Sequence, residues 1–247
     1  MPIQFITYHR TEEHPKSGDV YTLTFDQFSH HIDLIDLKGV SVTPPTAAFS
    51  PSPSKLLCIT FDDGYRSDLI NAELLAQRKL SAIFFISTAN IGRDDYLDAD
   101  GVRELEKLGM SVGSHSHEHI RLNTLPTDEA ARQMSESKQQ LESILSHPVE
   151  AIAFPGGGYS RETIRQARIA GFVHLLTTDW GVNSFAVPPH ISTIKRNNIL
   201  RNMSDADFVS LITHRAQFQR QLKFGIKQSA RTLLSDSTYA ALRRWFS

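Results

Sequence analysis

Apolar positions along the chain follow two rhythms that take turns. Short β-rich runs at Ile3–Tyr8, Leu56–Phe61, Ala82–Ile86, Met110–Gly113, Ala151–Phe154, Phe172–Thr178 and Ile191–Arg196 predict buried strands. Between them the apolar residues recur at helical spacing. Thr24–Lys38 carries Phe25, Phe28, Ile32 and Ile35, with Gly39 as a stop, and Asp68–Lys79 turns Leu69, Leu74 and Leu75 inward. Further helices are predicted over Asp98–Leu108, from a cap at Thr127 to about Leu145, and over Ser160–Ala170. His30 and His31 fall on the first of these helices and read as surface residues. The alternation argues an α/β fold with a mainly parallel sheet. The polar motifs gather at the strand ends, as in barrels whose sites lie on the C-terminal rim.

The most informative stretch is Lys55–Arg66, K-L-L-C-I-T-F-D-D-G-Y-R. A buried strand here ends in two adjacent carboxylates, Asp62 and Asp63. Side by side they repel, each raising the other's pKa, and a bound cation is the commonest remedy. A lone Asp-Asp-Gly is more often a solvated turn. A second cluster shifts the balance: Ser114–His119 sets His115 and His119 four apart, on one face of a helical turn, within reach of one metal. Asp63 with two imidazoles makes a three-ligand set that leaves a position for water. Asp-His-His suits zinc best, with cobalt, nickel or iron also acceptable. Pro155, Gly156, Gly157 and Gly158 follow another strand and let the backbone approach a ligand closely.

T-F-D-D-G (Thr60–Gly64) and S-H-S-x-x-H (Ser114–His119) resemble the first two motifs of the NodB-like polysaccharide deacetylases, carbohydrate esterase family four. The resemblance covers roughly residues 1–200. It implies a distorted (β/α) barrel with fewer than eight strands, followed here by C-terminal helices. It also implies hydrolysis of an N-acetyl group on an amino-sugar polysaccharide or oligosaccharide, with Asp62 as general base beside the metal ligands. Tyr8-His9 at the end of the first strand resembles the biofilm poly-N-acetylglucosamine deacetylases, where such a histidine is the general acid. Pro155–Gly157 resembles the third motif, although Ala153 stands where the family usually has arginine and Gly156 where it has an aromatic. Arg196, near the same rim, is a candidate replacement for that charge. Asp179-Trp180 resembles part of the fourth motif, in which Trp180 forms an apolar wall. Leu211–His214 resembles the fifth, which makes His214 the alternative acid.

A formal net charge of −1 gives no electrostatic reason to expect nucleic acid. A single cysteine, Cys58, excludes an internal disulfide. No apolar run reaches membrane-spanning length, and Met1–Tyr8 lacks the features of a signal peptide, so a cytoplasmic chain without stable membrane association is expected. The expected organisation is a deacetylase domain over residues 1–203 and a helical extension over 204–247. The sequence is silent on oligomeric state. Two other functions compete: an O-acetyl esterase on polysaccharide, and a carbohydrate-binding relative that has lost its chemistry.

Overall fold

The computed structural model describes residues 2–49, 56–184 and 193–213. Among them, seven parallel strands form the central sheet: β1 (Pro2–Tyr8), β2 (Leu56–Phe61), β3 (Ala82–Ile86), β4 (Ser111–Ser114), β5 (Ala151–Ala153), β6 (His174–Leu176) and β7 (Asn197–Asn198). They lie in the order β7-β1-β2-β3-β4-β5-β6. Ile194 bridges Leu176, and a few residues later Asn197 and Asn198 pair with Ile6 and Thr7. One segment thus links the far edge of β6 to β1, and the sheet curls into the distorted barrel that the family resemblance implies. Around it run α1 (Phe25–Leu37), α2 (Asp68–Gln77), α3 (Ala99–Lys107), α4 (Thr127–Leu145), α5 (Arg161–Ile169) and α6 (Asp205–Ile212). Among the described residues, no helix is long and apolar enough to cross a membrane.

The strand period of two divides the core. Phe5, Cys58, Ile83, Phe85, Ala153, Leu176 and Ile194 point one way and fill the barrel. Ile6, Tyr8, Ile59, Phe61, Phe84 and Ile86 point the other way and meet Phe28, Ile32, Leu75, Val102, Leu105 and Met134 of the helices. Gly113 in β4 leaves the room that the Phe85 ring needs, since a Cβ there would lie 2.5 Å from it.

Three local expectations are corrected. Thr127 is the first residue of α4 rather than its cap; Pro126 precedes it and no side chain caps the helix. The last strand sits at Asn197–Asn198 rather than Ile191–Arg196, of which residues 191 and 192 lie outside the described residues. Asn197 is buried there because its amide donates to the Phe5 and Gly181 carbonyls, a polar role that hydrophobic patterning cannot reveal. His31 is buried, not superficial: the Tyr8 hydroxyl lies 3.2 Å from its Nδ1 and its ring stacks on Phe208 at 4.0 Å. Through that stack α6 packs on α1. His30, on the exposed side, pairs with Asp205 at 2.9 Å.

Burial pushes the His31 imidazole down to about 4, with His30 lowering it further and Asp205 opposing both. The unfolded chain therefore binds a proton at His31 that the folded chain refuses between its unfolded value near ~6.5 and about 4. Stability falls as pH drops through that window. At pH 5 this residue should cost about 2 kcal/mol relative to neutral pH. Denaturant unfolding at pH 7.5 and 5 should show a smaller loss in His31→Gln than in the wild type.

Candidate active site

The rim at the C-terminal ends of β1, β2, β4 and β5 collects the site. β2 delivers Asp62, which is 1% exposed and whose N–H donates to the Tyr8 carbonyl at 3.0 Å. The chain then turns sharply, with Asp63 at φ 81 and Gly64 at φ 83. Such a conformation is costly for a residue with a Cβ, and it directs the two neighbouring carboxylates to different partners.

Asp62 faces Arg196. The guanidinium donates through Nη1 to Oδ1 at 2.6 Å and through Nη2 to Oδ2 at 2.8 Å, the bidentate geometry that best matches a carboxylate. Arg196 has no exposed surface; its Nε donates to the Thr177 carbonyl at 3.1 Å, and its guanidinium lies 5.1 Å from the Phe85 ring centre. Burial pushes Asp62 up, but the charges of Arg196 and His115 outweigh it and hold the carboxyl below its ordinary value. The expectation of mutually raised carboxylates is therefore corrected.

Asp63 faces the histidines. Its Oδ1 lies 3.0 Å from His119 Nε2 and 3.5 Å from His115 Nε2. Burial raises this carboxyl too, yet His119 beside it and the charges of His115 and His9 hold it low. One ligand atom from each of Asp63, His115 and His119 lies within 4.8 Å of the other two.

The histidines do not sit on a helical turn. His115 leaves β4 with its N–H on the Ile86 carbonyl at 2.8 Å, and Ser116 (φ 66) and His119 (φ 57) adopt left-handed backbone that no α-helix allows. The loop returns His119 to its partner all the same, with the two imidazole centres 5.0 Å apart. The Ser116 N–H is fixed by the Ser114 hydroxyl at 3.0 Å, and Ser114 in turn meets Ser137 of α4 at 2.6 Å. His115 Nδ1 donates to the Ala153 carbonyl at 2.8 Å, which leaves Nε2 as the lone-pair nitrogen facing the carboxylates. Burial lowers this imidazole to about 4, so it is neutral at physiological pH, the form a metal requires. The donor set and this fixed tautomer fit a divalent cation.

Other residues singled out in the sequence surround this centre. His9, at the end of β1, is near enough that its charge lowers both Asp62 and Asp63. Pro155 is buried, and Gly156 (φ 59) and Gly157 (φ 67) turn in left-handed backbone just after Ala153. A Cβ on Gly157 would overlap the Thr178 hydroxyl, and one on Gly156 would come to 2.9 Å from Arg121 Nε. Trp180 is partly buried against the outer core. His214 lies outside the described residues. Sequence patterning does not reveal the Ala153 carbonyl as the His115 acceptor, because a backbone oxygen has no residue signature. Nor does it single out Arg121, which is the residue two beyond His119.

Breaking one side of the Arg196–Asp62 pair strands a buried charge. Arg196→Met should lose roughly 3–5 kcal/mol of stability. Arg196→Met combined with Asp62→Leu should recover most of that loss, because neither charge remains. Urea denaturation of the single and double variants checks both statements.

A family model described as polysaccharide deacetylase matches residues 50–175. The chain is 28% identical over 175 residues to the YxkH protein of Bacillus subtilis, covering 68% of this chain and 63% of that protein. It is 26% identical over 172 residues to a peptidoglycan-N-acetylglucosamine deacetylase of Bacillus cereus, covering 65% and 74%. The match thus spans less than two thirds of the length of the Bacillus subtilis relative. In fold the chain is similar to the Streptococcus pyogenes deacetylase PplD, with a TM-score of 0.76 at 23% identity, over 86% of this chain and 98% of that one. It is also similar to IcaB from Ammonifex degensii, with a TM-score of 0.74 at 22% identity, over 86% and 96%. The family model spans the strand carrying both carboxylates, the histidine loop and the glycine turn, and on that ground the chain belongs to the polysaccharide deacetylase family.

Proposed function

We propose that this protein is a metal-dependent hydrolase that removes N-acetyl groups from an acetylated amino-sugar polysaccharide or oligosaccharide. The observation that carries the reading is the separation of two adjacent carboxylates, Asp63 toward two imidazoles and Asp62 toward a buried arginine. Asp63, His115 and His119 would hold the ion, zinc matching this donor set best. Such an ion supplies Lewis acidity at the acetyl carbonyl and a water of lowered pKa.

The remaining steps belong to the chain. Asp62 accepts the proton of the attacking water as general base, and Arg196 keeps it ionised and aimed. The oxyanion that develops at the acetyl carbonyl oxygen is met by a backbone N–H at Gly156, on a turn held by the Gly157 N–H to Phe154 carbonyl bond of 2.9 Å. His9 protonates the departing amine, because an unprotonated amine is a very poor leaving group. Trp180 walls the acetyl methyl group. Residues 1–203 make up the deacetylase domain and 204–247 an extension to it.

Acetate release from short N-acetylglucosamine oligomers should vanish after chelation and return with zinc or cobalt. Failure of any metal to restore release would contradict the reading. His9→Ala should cost about 10²-fold or more on these amides, the usual weight of a general acid, and under about tenfold on p-nitrophenyl acetate, whose leaving group needs no proton. Equal losses on both substrates would remove His9 from this role.

A further inference from the structure

Among the described residues, Tyr21 is the one aromatic among the large hydrophobic side chains left exposed, at 44%. It is not a loose surface residue. The Asp19 carboxylate receives the Tyr21 N–H at 3.0 Å, the Thr22 N–H at 3.3 Å and the Thr22 hydroxyl at 2.6 Å, which fixes the turn that carries the ring. Leu23 donates to the Arg10 carbonyl at 3.0 Å, and the Arg201 N–H donates to the Val20 carbonyl at 2.8 Å, so the turn is tied down on both sides. Thr11–Glu12 and Leu23–Thr24 pair as a small ribbon that folds this loop back over the end of β1.

That fold-back sets the Tyr21 ring 4.9 Å, centre to centre, from His9 at an angle of 56°. His9 Nδ1 is buried and, among the described residues, has no hydrogen-bond partner. The Tyr21 ring is thus a direct neighbour of that imidazole. A second aromatic group near the rim differs in kind. Tyr65 is already engaged by Tyr96, 4.9 Å away, and by the Arg10 guanidinium at 5.0 Å. Tyr21 combines contact with His9 and surface open to solvent.

We propose that Tyr21 is a sugar-stacking platform, holding the pyranose ring that bears the scissile acetamide or the ring next to it. This rests on His9 as the proton donor of the proposed deacetylation. A donor must come within hydrogen-bonding distance of the departing nitrogen, and an aromatic ring packed on that donor then lies within one sugar's width of it. The C–H face of a pyranose is apolar and matches the face of a phenol ring, while the hydroxyl rim stays wet. A platform already held by its own turn binds without paying for loop ordering.

The test compares Tyr21→Ala and Tyr21→Phe on N-acetylglucosamine oligomers and on p-nitrophenyl acetate, which has no sugar. Tyr21→Ala should raise KM for the oligomer roughly tenfold, with kcat within about twofold and ester turnover unchanged. Tyr21→Phe should keep KM within about twofold, since the ring face and not the hydroxyl makes the contact. A drop in kcat on the oligomers in Tyr21→Ala, with KM and ester turnover unchanged, would mean that the ring only steadies His9, and would overturn the platform. An unchanged KM would overturn it as well. A tenfold KM effect in Tyr21→Ala alongside equal amide and ester losses in His9→Ala would remove the proton-donor reading and leave the platform standing. An enzyme that releases no acetate from the oligomers would overturn both.

Discussion

Arg196, with no exposed surface, closes the mouth of the barrel, and its pairing with Asp62 organises the rim. Desolvating a guanidinium and a carboxylate is costly, and the cost is offset only by near-ideal geometry and further hydrogen bonds from the guanidinium. Both conditions hold here. Two short bonds join the charges, the Thr177 carbonyl takes Nε, and the Thr60 hydroxyl stands 3.3 Å from Nη1. The Phe85 ring below needs the space left by Gly113. A charge pair at the top of an otherwise apolar barrel thus fixes the direction of Asp62, and the backbone reversal at Asp63 sends its neighbour elsewhere.

That reversal belongs to a wider pattern. Asp63, Ser116 and His119 all hold left-handed backbone although none is glycine, at a cost on the order of 1–3 kcal/mol each. Strain of this kind persists where surrounding structure dictates it. The Ser114–Ser137 contact anchors the histidine loop to α4, and the Ser87 N–H reaches the Asp63 carbonyl at 3.3 Å. The ligand atoms converge because the loops around them are fixed from behind.

Much of this was legible in the sequence, for identifiable reasons. The alternation of strand and helix rhythms argues the parallel α/β sheet, since apolar periodicity reports which face each element buries, and the barrel follows from the family resemblance. Asp63, His115 and His119 are recognisable as residue types, but their local conformation is not: four-residue spacing fits a helix, and only backbone angles distinguish a loop that meets the same end. The two carboxylates read as mutually repelling because the sequence places Arg196 more than a hundred residues away. Asn197 hid the last strand, since its buried amide satisfies carbonyls rather than adding to an apolar run. Nothing in the spacing distinguishes His31 from the exposed His30, since its burial depends on α6 arriving from the far end of the described chain.

The central claim is a division of labour between adjacent carboxylates, Asp63 holding the ion and Asp62 serving as base. Calorimetric zinc titration of Asp62→Asn and Asp63→Asn, paired with acetate release from N-acetylglucosamine oligomers, addresses it most directly. Asp62→Asn should bind zinc nearly as tightly as the wild type and release no acetate, whereas Asp63→Asn should lose both. Turnover in Asp62→Asn, or undiminished zinc binding in Asp63→Asn, would contradict the account.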